Sequence, residues 1–427
     1  MLNPKDSTGH PFYTNTIMDK SKNKTFNYQM CIFSAIAMMM VILGHIKNDS
    51  TAMATFCGWF PYYSVHLPMF LFVSGYFFRD SGYSKKAAVA GPSSSKWNFS
   101  DLLTEFLAFF IKKAKNLLLP YFIINGIYLL FNSLMVEWGF TYVKAFSLYE
   151  WLVRPWLRFY VIDLASPCWY LIAIFIAEIY FYILRKIFGL LIRLKMRRAE
   201  AFSEFLLLLL TLAAGIFIVY KINTGHVSEC AQVYLRSVLM LFFMQLGVVY
   251  RKYLNILEKI PAVLYFAAIA ALQFILIVIL HNDPLDPWLY CITYFDDLGL
   301  NFFIAGSLGI LLWLRISAII ASIPKKSRTL IFIGQNTKYI MAFHLSGFFM
   351  LNYIFYFLHS QGIGGDFLSA FNPSAFKGYL YYNCCTEVRM VIFYFAAGLL
   401  WAMLVSKLIL MVKNMLARRQ TVLPHTL

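Results

Sequence analysis

Ten apolar runs separated by short polar or charged stretches dominate the sequence and leave few folds open to it. They fall at about 29–47, 62–79, 105–131, 168–185, 205–220, 232–250, 262–280, 298–320, 339–358 and 389–411. Runs of roughly 17 to 25 residues have the length an α-helix needs to cross about 30 Å of hydrocarbon. The pattern predicts an all-α integral membrane protein with about ten transmembrane helices. Pro120 lies inside the third run and predicts a kink there.

Composition agrees with this class. Hydrophobic residues make up 60% of the 427 residues and charged residues 13%, against about 25% charged in a soluble domain. The net charge of +17 would suit a nucleic-acid partner if it were spread over a face. It is confined instead to the connections between apolar runs, so it reports topology and no nucleic acid is expected. Seven cysteines, at 31, 57, 168, 230, 291, 384 and 385, form no CxxC pair. Neither a zinc site nor a disulfide framework is indicated, and no metal is expected.

Lys and Arg gather on one side of the membrane when the chain is threaded ten times with its amino terminus inside. Clusters such as Arg185-Lys186 to Arg197-Arg198 and Lys325-Lys326 to Arg328 then fall on inner connections, and Asp283, Asp286, Asp296, Asp297 and Asp366 fall outside. Nine or eleven crossings would misplace them. Both termini are expected in the cytoplasm. Residues 1–28, with Lys5, Lys20, Lys22 and Lys24, form a polar leader without the apolar core of a cleaved signal peptide. Residues 29–411 form one transmembrane domain and 412–427 a short basic tail.

Histidines inside lipid-length apolar sequence are costly and mark functional sites by default. His45 closes the first run, His66 opens the second, and His344 lies several residues inside the ninth. For His45 and His344 a site role and a structural role weigh about equally. His66, just before Leu67-Pro68, reads more simply as an end cap. His10, His226, His281, His359 and His425 read as loop or tail residues.

The pieces MMMVILGHI, MFLFVSGYFFR, PCWYLIAIF, FMQLGVVYRK and IGQNTKYIMAFHL occur in the order seen in the membrane acyltransferase type 3 family, which the chain resembles over nearly its whole length. That family includes bacterial O-acetyltransferases of surface polysaccharides. The resemblance maps the family's functional positions onto His45, Ser74-Gly75, Trp169-Tyr170-Leu171 and the stretch from Asn336 to His344. It implies a multi-pass protein of a bacterial plasma membrane that moves an acyl group, acetyl above all, from cytoplasmic acyl-CoA to a hydroxyl of a cell-surface or lipid-linked glycan. Its surroundings would be membrane lipids, the glycan acceptor and partner proteins of glycan assembly.

One position departs from the family pattern. The family's cation, eleven residues before the first histidine, is replaced by Ser34. Eleven residues return to nearly the same helix face about 16 Å away, and serine cannot neutralise a phosphate. Either another basic residue takes the role, with Arg79, Lys112, Lys115 and Arg236 as candidates, or donor binding is altered, or this member has lost acyl transfer. The segment Arg79 to Lys115, with its Gly91-Pro92-Ser93 stretch, could cover a nucleotide at the inner face; positive-inside bias and anionic lipids explain it as well.

The implied chemistry follows from proton transfer. A sugar hydroxyl is a weak nucleophile, and an imidazole with an ordinary pKa near 6.5 can accept its proton as attack on a thioester begins. His45 is the first choice for that base, with His344 on the same path. Ser74, Tyr76, Tyr170, Asn336 and Thr337 are candidate donors to the tetrahedral intermediate. Trp169, Tyr170 and Asn336 are candidate acceptor contacts, while Ser74-Gly75 equally suits close helix packing. Between Asn132 and Pro167, Trp138, Trp151, Trp156, Arg154, Arg158 and Asp163 suit either an interfacial helix or a glycan-stacking surface. A competing function is a transporter or export component for polysaccharide or lipid-linked sugar that forms no bond. No convincing repeat between the two halves supports it.

Overall fold

The computed structural model describes residues 26–46, 62–79, 99–158, 163–195, 200–225, 227–279, 300–369, 371–378 and 388–422. Residues 1–25 of the leader, most of the segment after Arg79, the acids at 283, 286, 296 and 297, His10, His226, His281, His425, and the cysteines at 57, 291, 384 and 385 lie outside them. Among the described residues the secondary structure is all helical, with no strand. Six helices are long and apolar enough to cross a membrane, and three shorter apolar ones accompany them.

Helix α1 (Tyr28–Gly44) is the hub. Asn27 starts it by accepting from the Met30 amide at 3.0 Å, satisfying an orphan donor of the first turn. From Met30 to Ile42 every residue except Met39 is buried. A helix apolar all round belongs inside a bundle, and α1 packs on five others. These are α2 (Tyr62–Phe77), α9 (Leu300–Ser322), α10 (Arg328–Gln335), α11 (Thr337–Ser360) and α12 (Val388–Val422). Its 17 residues span only about 25 Å.

Helix α3 (Phe99–Lys113) passes through a π turn at Ala114–Leu118 into α4 (Leu119–Glu137). Pro120 explains the turn, because its ring lacks an N–H and crowds the carbonyl of Asn116 one turn back. Widening the helix there relieves the clash. A 3-10 turn at Asp163–Cys168 leads into α5 (Trp169–Lys195). Glu178, Arg185 and Lys186 make α5 more charged than its length alone suggests. Three further helices, α6 (Glu200–Asn223), α7 (Glu229–Lys252) and α8 (Ala262–Ile279), complete the bundle.

Glycine sets the closest approach between helices. A Cβ on Gly75 of α2 would fall 1.8 Å from the Met244 carbonyl oxygen of α7, and one on Gly247 would fall 2.2 Å from that of Phe72. A Cβ on Gly334 of α10 would meet the Cys31 carbonyl oxygen at 2.1 Å, so α10 lies against the first turns of α1.

One end of the bundle collects positive charge. There the start of α1 meets α10, the Asn27 side chain reaches Tyr76 at the end of α2, and Lys413 of α12 bonds the Tyr339 hydroxyl at the start of α11. Arg185 of α5 grips Glu204 of α6 through two nitrogens at 2.5 and 3.0 Å. Lys252 of α7 joins the same carboxylate at 2.7 Å, and Gln245 donates to it at 2.7 Å.

Candidate active site

His45 and His344 come together although almost 300 residues separate them. His45 caps α1 and its Nδ1 lies 2.7 Å from the Val41 carbonyl oxygen. Its ring centroid is 4.9 Å from that of His344, with the planes at 66°. His344 is fully buried in α11, its Nδ1 2.8 Å from the Met341 carbonyl oxygen. A carbonyl only accepts, so each Nδ1 carries hydrogen and each Nε2 is left as the basic nitrogen. The His344 Nε2 is buried with no hydrogen-bond partner among the described residues.

α10 explains how a residue at the far end of α1 meets one near the start of α11. Gly334 sits beside Cys31, and Asn336 ends α10, its Nδ2 donating to the Phe332 carbonyl at 2.8 Å. The chain then restarts as α11, parallel to α1 and already inside the bundle. His344 is thereby carried up to the level of His45.

His66 is a third imidazole at this place. It does not cap α2 but is buried in it, within electrostatic range of both other rings. One turn further along α2, the ring of Phe70 lies 6.1 Å from that of Tyr170 at the start of α5. Tyr128 of α4 donates to the Ala342 carbonyl of α11 at 2.9 Å. The 163–168 turn packs between α4 and α11 and ends on buried Cys168, within electrostatic range of the Tyr121 and Tyr128 hydroxyls. The hydroxyls of Tyr121 and Tyr170 are buried without a hydrogen-bond partner among the described residues. Unmet buried polar groups are costly, so they mark a place where a polar substrate would be satisfied. Tyr121 carries no signal that separates it in sequence from the many aromatic and apolar neighbours around it, whereas His66 stands out as an ionisable group but reads there as an end cap.

Other sequence candidates stand elsewhere. Ser74 is half-buried on α2, about 12 Å along the helix from His66, while its neighbour Gly75 serves the contact with α7. Ser34 is buried and donates back to the Met30 carbonyl at 2.9 Å. Trp169 is half-buried at the start of α5. Asn336 lies about 12 Å along α11 from His344 and forms the break between α10 and α11; Thr337 begins α11.

The basic candidates divide. Lys112 and Lys115 are exposed, whereas Lys113 between them turns inward and pairs with buried Glu178 at 2.7 Å. Arg236 is buried on α7, fifteen residues and about 22 Å from Arg251, away from the basic end. Arg79 is exposed and lines a cleft of about 440 Å³ at the basic end with Phe26, Asn27, Tyr28, Tyr76, Phe77 and Arg251. About 27 Å of α1 separates Asn27 in this cleft from His45.

In the Trp-rich connection, Trp151 donates its indole N–H to the Phe122 carbonyl at 2.8 Å and fills the notch at Gly126. A π turn at Tyr149–Val153 and a helical turn at Arg154–Arg158 lie against α4. Among the described residues no group of His, Cys, Asp and Glu is arranged to hold a metal ion.

Two facing imidazoles, His344 buried and His45 half-buried, each with its Nδ1 tied to a helix carbonyl, lie within a bundle of apolar helices of a multi-pass membrane protein. The chain belongs to the acyltransferase type 3 family, matching the family's acyltransferase domain over residues 33–411, and is an acyltransferase. No curated protein and no solved structure matches it.

Proposed function

We propose that this acyltransferase moves an acyl group, acetyl above all, from cytoplasmic acyl-CoA to a hydroxyl of a surface or lipid-linked glycan, with the His45–His344 pair as its acid–base centre. The paired rings carry this reading. The His45 Nε2 takes the hydroxyl proton as the new C–O bond forms and the thioester C–S bond breaks. The departing thiolate recovers a proton from the imidazole pair, so no net proton is released. Tyr170 and Tyr121 offer hydroxyls to the acceptor or to the developing oxyanion.

The donor's phosphates would bind in the cleft at the basic end. Arg79 supplies the charge that Ser34 lacks, with Arg251 beside it, and Phe26, Tyr28, Tyr76 and Phe77 supply ring faces.

Ten crossings with both termini in the cytoplasm of a bacterial plasma membrane fit the helix directions. Neighbours of opposite parity run antiparallel: Ser346 and Asn352 of α11 pair with Trp401 and Tyr394 of α12, in reverse order. Glu105 of α3 and Glu178 of α5 pair likewise with Lys186 and Lys113. Counted as crossings, neighbours of equal parity run parallel, as the second (α2) does with the sixth (α7). The start of α1 and the inner part of α12 lie at the same, basic end, consistent with cytoplasmic termini.

Membranes carrying the intact chain or His45→Ala at matched level, supplied with labelled acetyl-CoA, test the proposal. Label on the glycan that depends on the intact histidine supports it; equal labelling by both proteins removes His45 from the chemistry. The transport alternative has no observation of its own in the structure.

A further inference from the structure

The same local pattern occurs on two helices that touch. In α2, Gly75 is followed four residues later by Arg79, and in α7, Gly247 is followed four residues later by Arg251. Each glycine presses against the other helix's backbone. Pro68 and Phe243 both stand at Gly306, and further along both helices Arg251 reaches the carbonyls of Tyr76 and Phe78, so the two run parallel. Four residues is about one turn. Arg251 lies within α7 and Arg79 two residues beyond the end of α2, and both line the cleft.

They are not equivalent there. The Arg251 Nη1 donates to the carbonyl oxygens of Tyr76 at 2.6 Å and Phe78 at 2.8 Å, the last carbonyls of α2 and of the residues that follow it. Such carbonyls lack partners within the helix, and a planar guanidinium can serve two at once. Arg79 directly follows this clamped stretch, is exposed, and has no ion-pair partner among the described residues. Beside it, Asn27 holds the Tyr76 hydroxyl at 3.3 Å.

We propose that Arg251 is a positioning residue: by clamping the end of α2 it fixes where Arg79 projects, and Arg79 is the side chain that meets phosphate in the cleft. This rests on the donor reading above and extends it, since it gives the two arginines different tasks. A residue that works through another adds nothing once that other is gone, so the two substitutions must be non-additive.

The test uses the purified full-length protein with coenzyme A and pantetheine as probes, and reads the dissociation constant by calorimetry. Arg79→Gln and Arg251→Gln should each weaken coenzyme A about tenfold, the scale of one lost charge-assisted contact. The double variant should be no weaker than Arg79→Gln alone. Arg251→Lys, whose ammonium can still donate to both carbonyls, should restore most of the affinity and checks that loss is not misfolding. Pantetheine, which lacks phosphate, should bind all variants alike. A double variant about tenfold weaker than either single one, or an Arg251→Gln protein that binds coenzyme A like the parent, overturns the clamp alone. A parent protein that binds no coenzyme A overturns the donor reading and the clamp with it.

Discussion

The imidazole of His45 stands edge-on to that of His344, 4.9 Å between centroids, with each Nδ1 tied to a carbonyl of its own helix. That tie leaves Nε2 as the basic nitrogen of each ring. Groups that exchange a proton act as a unit, so their losses do not multiply. His45→Ala and His344→Ala are each expected to lower acyl transfer about a hundred- to ten-thousand-fold, and the double variant about as much as the worse single one. Initial rates in membranes with matched protein levels decide it; a fully multiplicative double variant would assign the rings to separate steps.

Ser74 and Gly75 should part company under mutation. A Cβ on Gly75 would fall inside the contact radius of the Met244 carbonyl oxygen, and backbone gives way less readily than a side-chain tip. Gly75→Ala is expected to cost about 1–3 kcal/mol, the usual range for overpacking, read as a lower thermal midpoint in detergent. Ser74→Ala should leave that midpoint and the transfer rate nearly unchanged. A large rate loss from Ser74→Ala at normal stability would return Ser74 to the chemistry.

These two residues also show how far the sequence could be read. Helices are legible because lipid-length apolar runs have few other conformations, and His45 and His344 were visible as costly groups within them. Inward and outward faces were not. Lys112, Lys113 and Lys115 look alike in sequence, yet only Lys113 finds Glu178, because a π turn resets the helix phase just beyond it. Arg236 is a candidate donor cation by its charge alone, and its place on α7 about 22 Å from Arg251 comes only from the fold. Arg251 carries no sequence signal of its own task, since its partners are carbonyls some 175 residues earlier. The Trp151 contact with α4 was equally hidden, because a tryptophan suits an interfacial position as well as a notch over a glycine.

The carboxylate of Glu204 is the point where α5, α6 and α7 are joined. Arg185 and Glu204 have side chains only 7% exposed, so their attraction is little screened. Removing one member leaves an uncompensated buried charge, which typically costs 3–5 kcal/mol. Glu204→Gln is expected to lower the thermal midpoint strongly, and Glu200→Gln, whose side chain is 72% exposed opposite Lys252, to do much less. Equal shifts from the two would mean that the cluster is not what holds these helices.

Tyr170→Phe separates a structural tyrosine from a functional one. Its ring packs near Phe70, and phenylalanine preserves that contact. Its hydroxyl is buried without a hydrogen-bond partner among the described residues, so deleting it removes an unmet polar group and should leave stability unchanged or raise it by about 1 kcal/mol. Tyr128→Phe, in contrast, loses the bond to the Ala342 carbonyl and should cost about 0.5–1.5 kcal/mol. If the Tyr170 hydroxyl donates to the acceptor or to the oxyanion, Tyr170→Phe should nevertheless lose about a hundredfold or more in transfer rate. Thermal unfolding and initial rates measured on the same preparations give the answer: a stable Tyr170→Phe protein at full rate removes Tyr170 from the site, and a stable, slow one places it there.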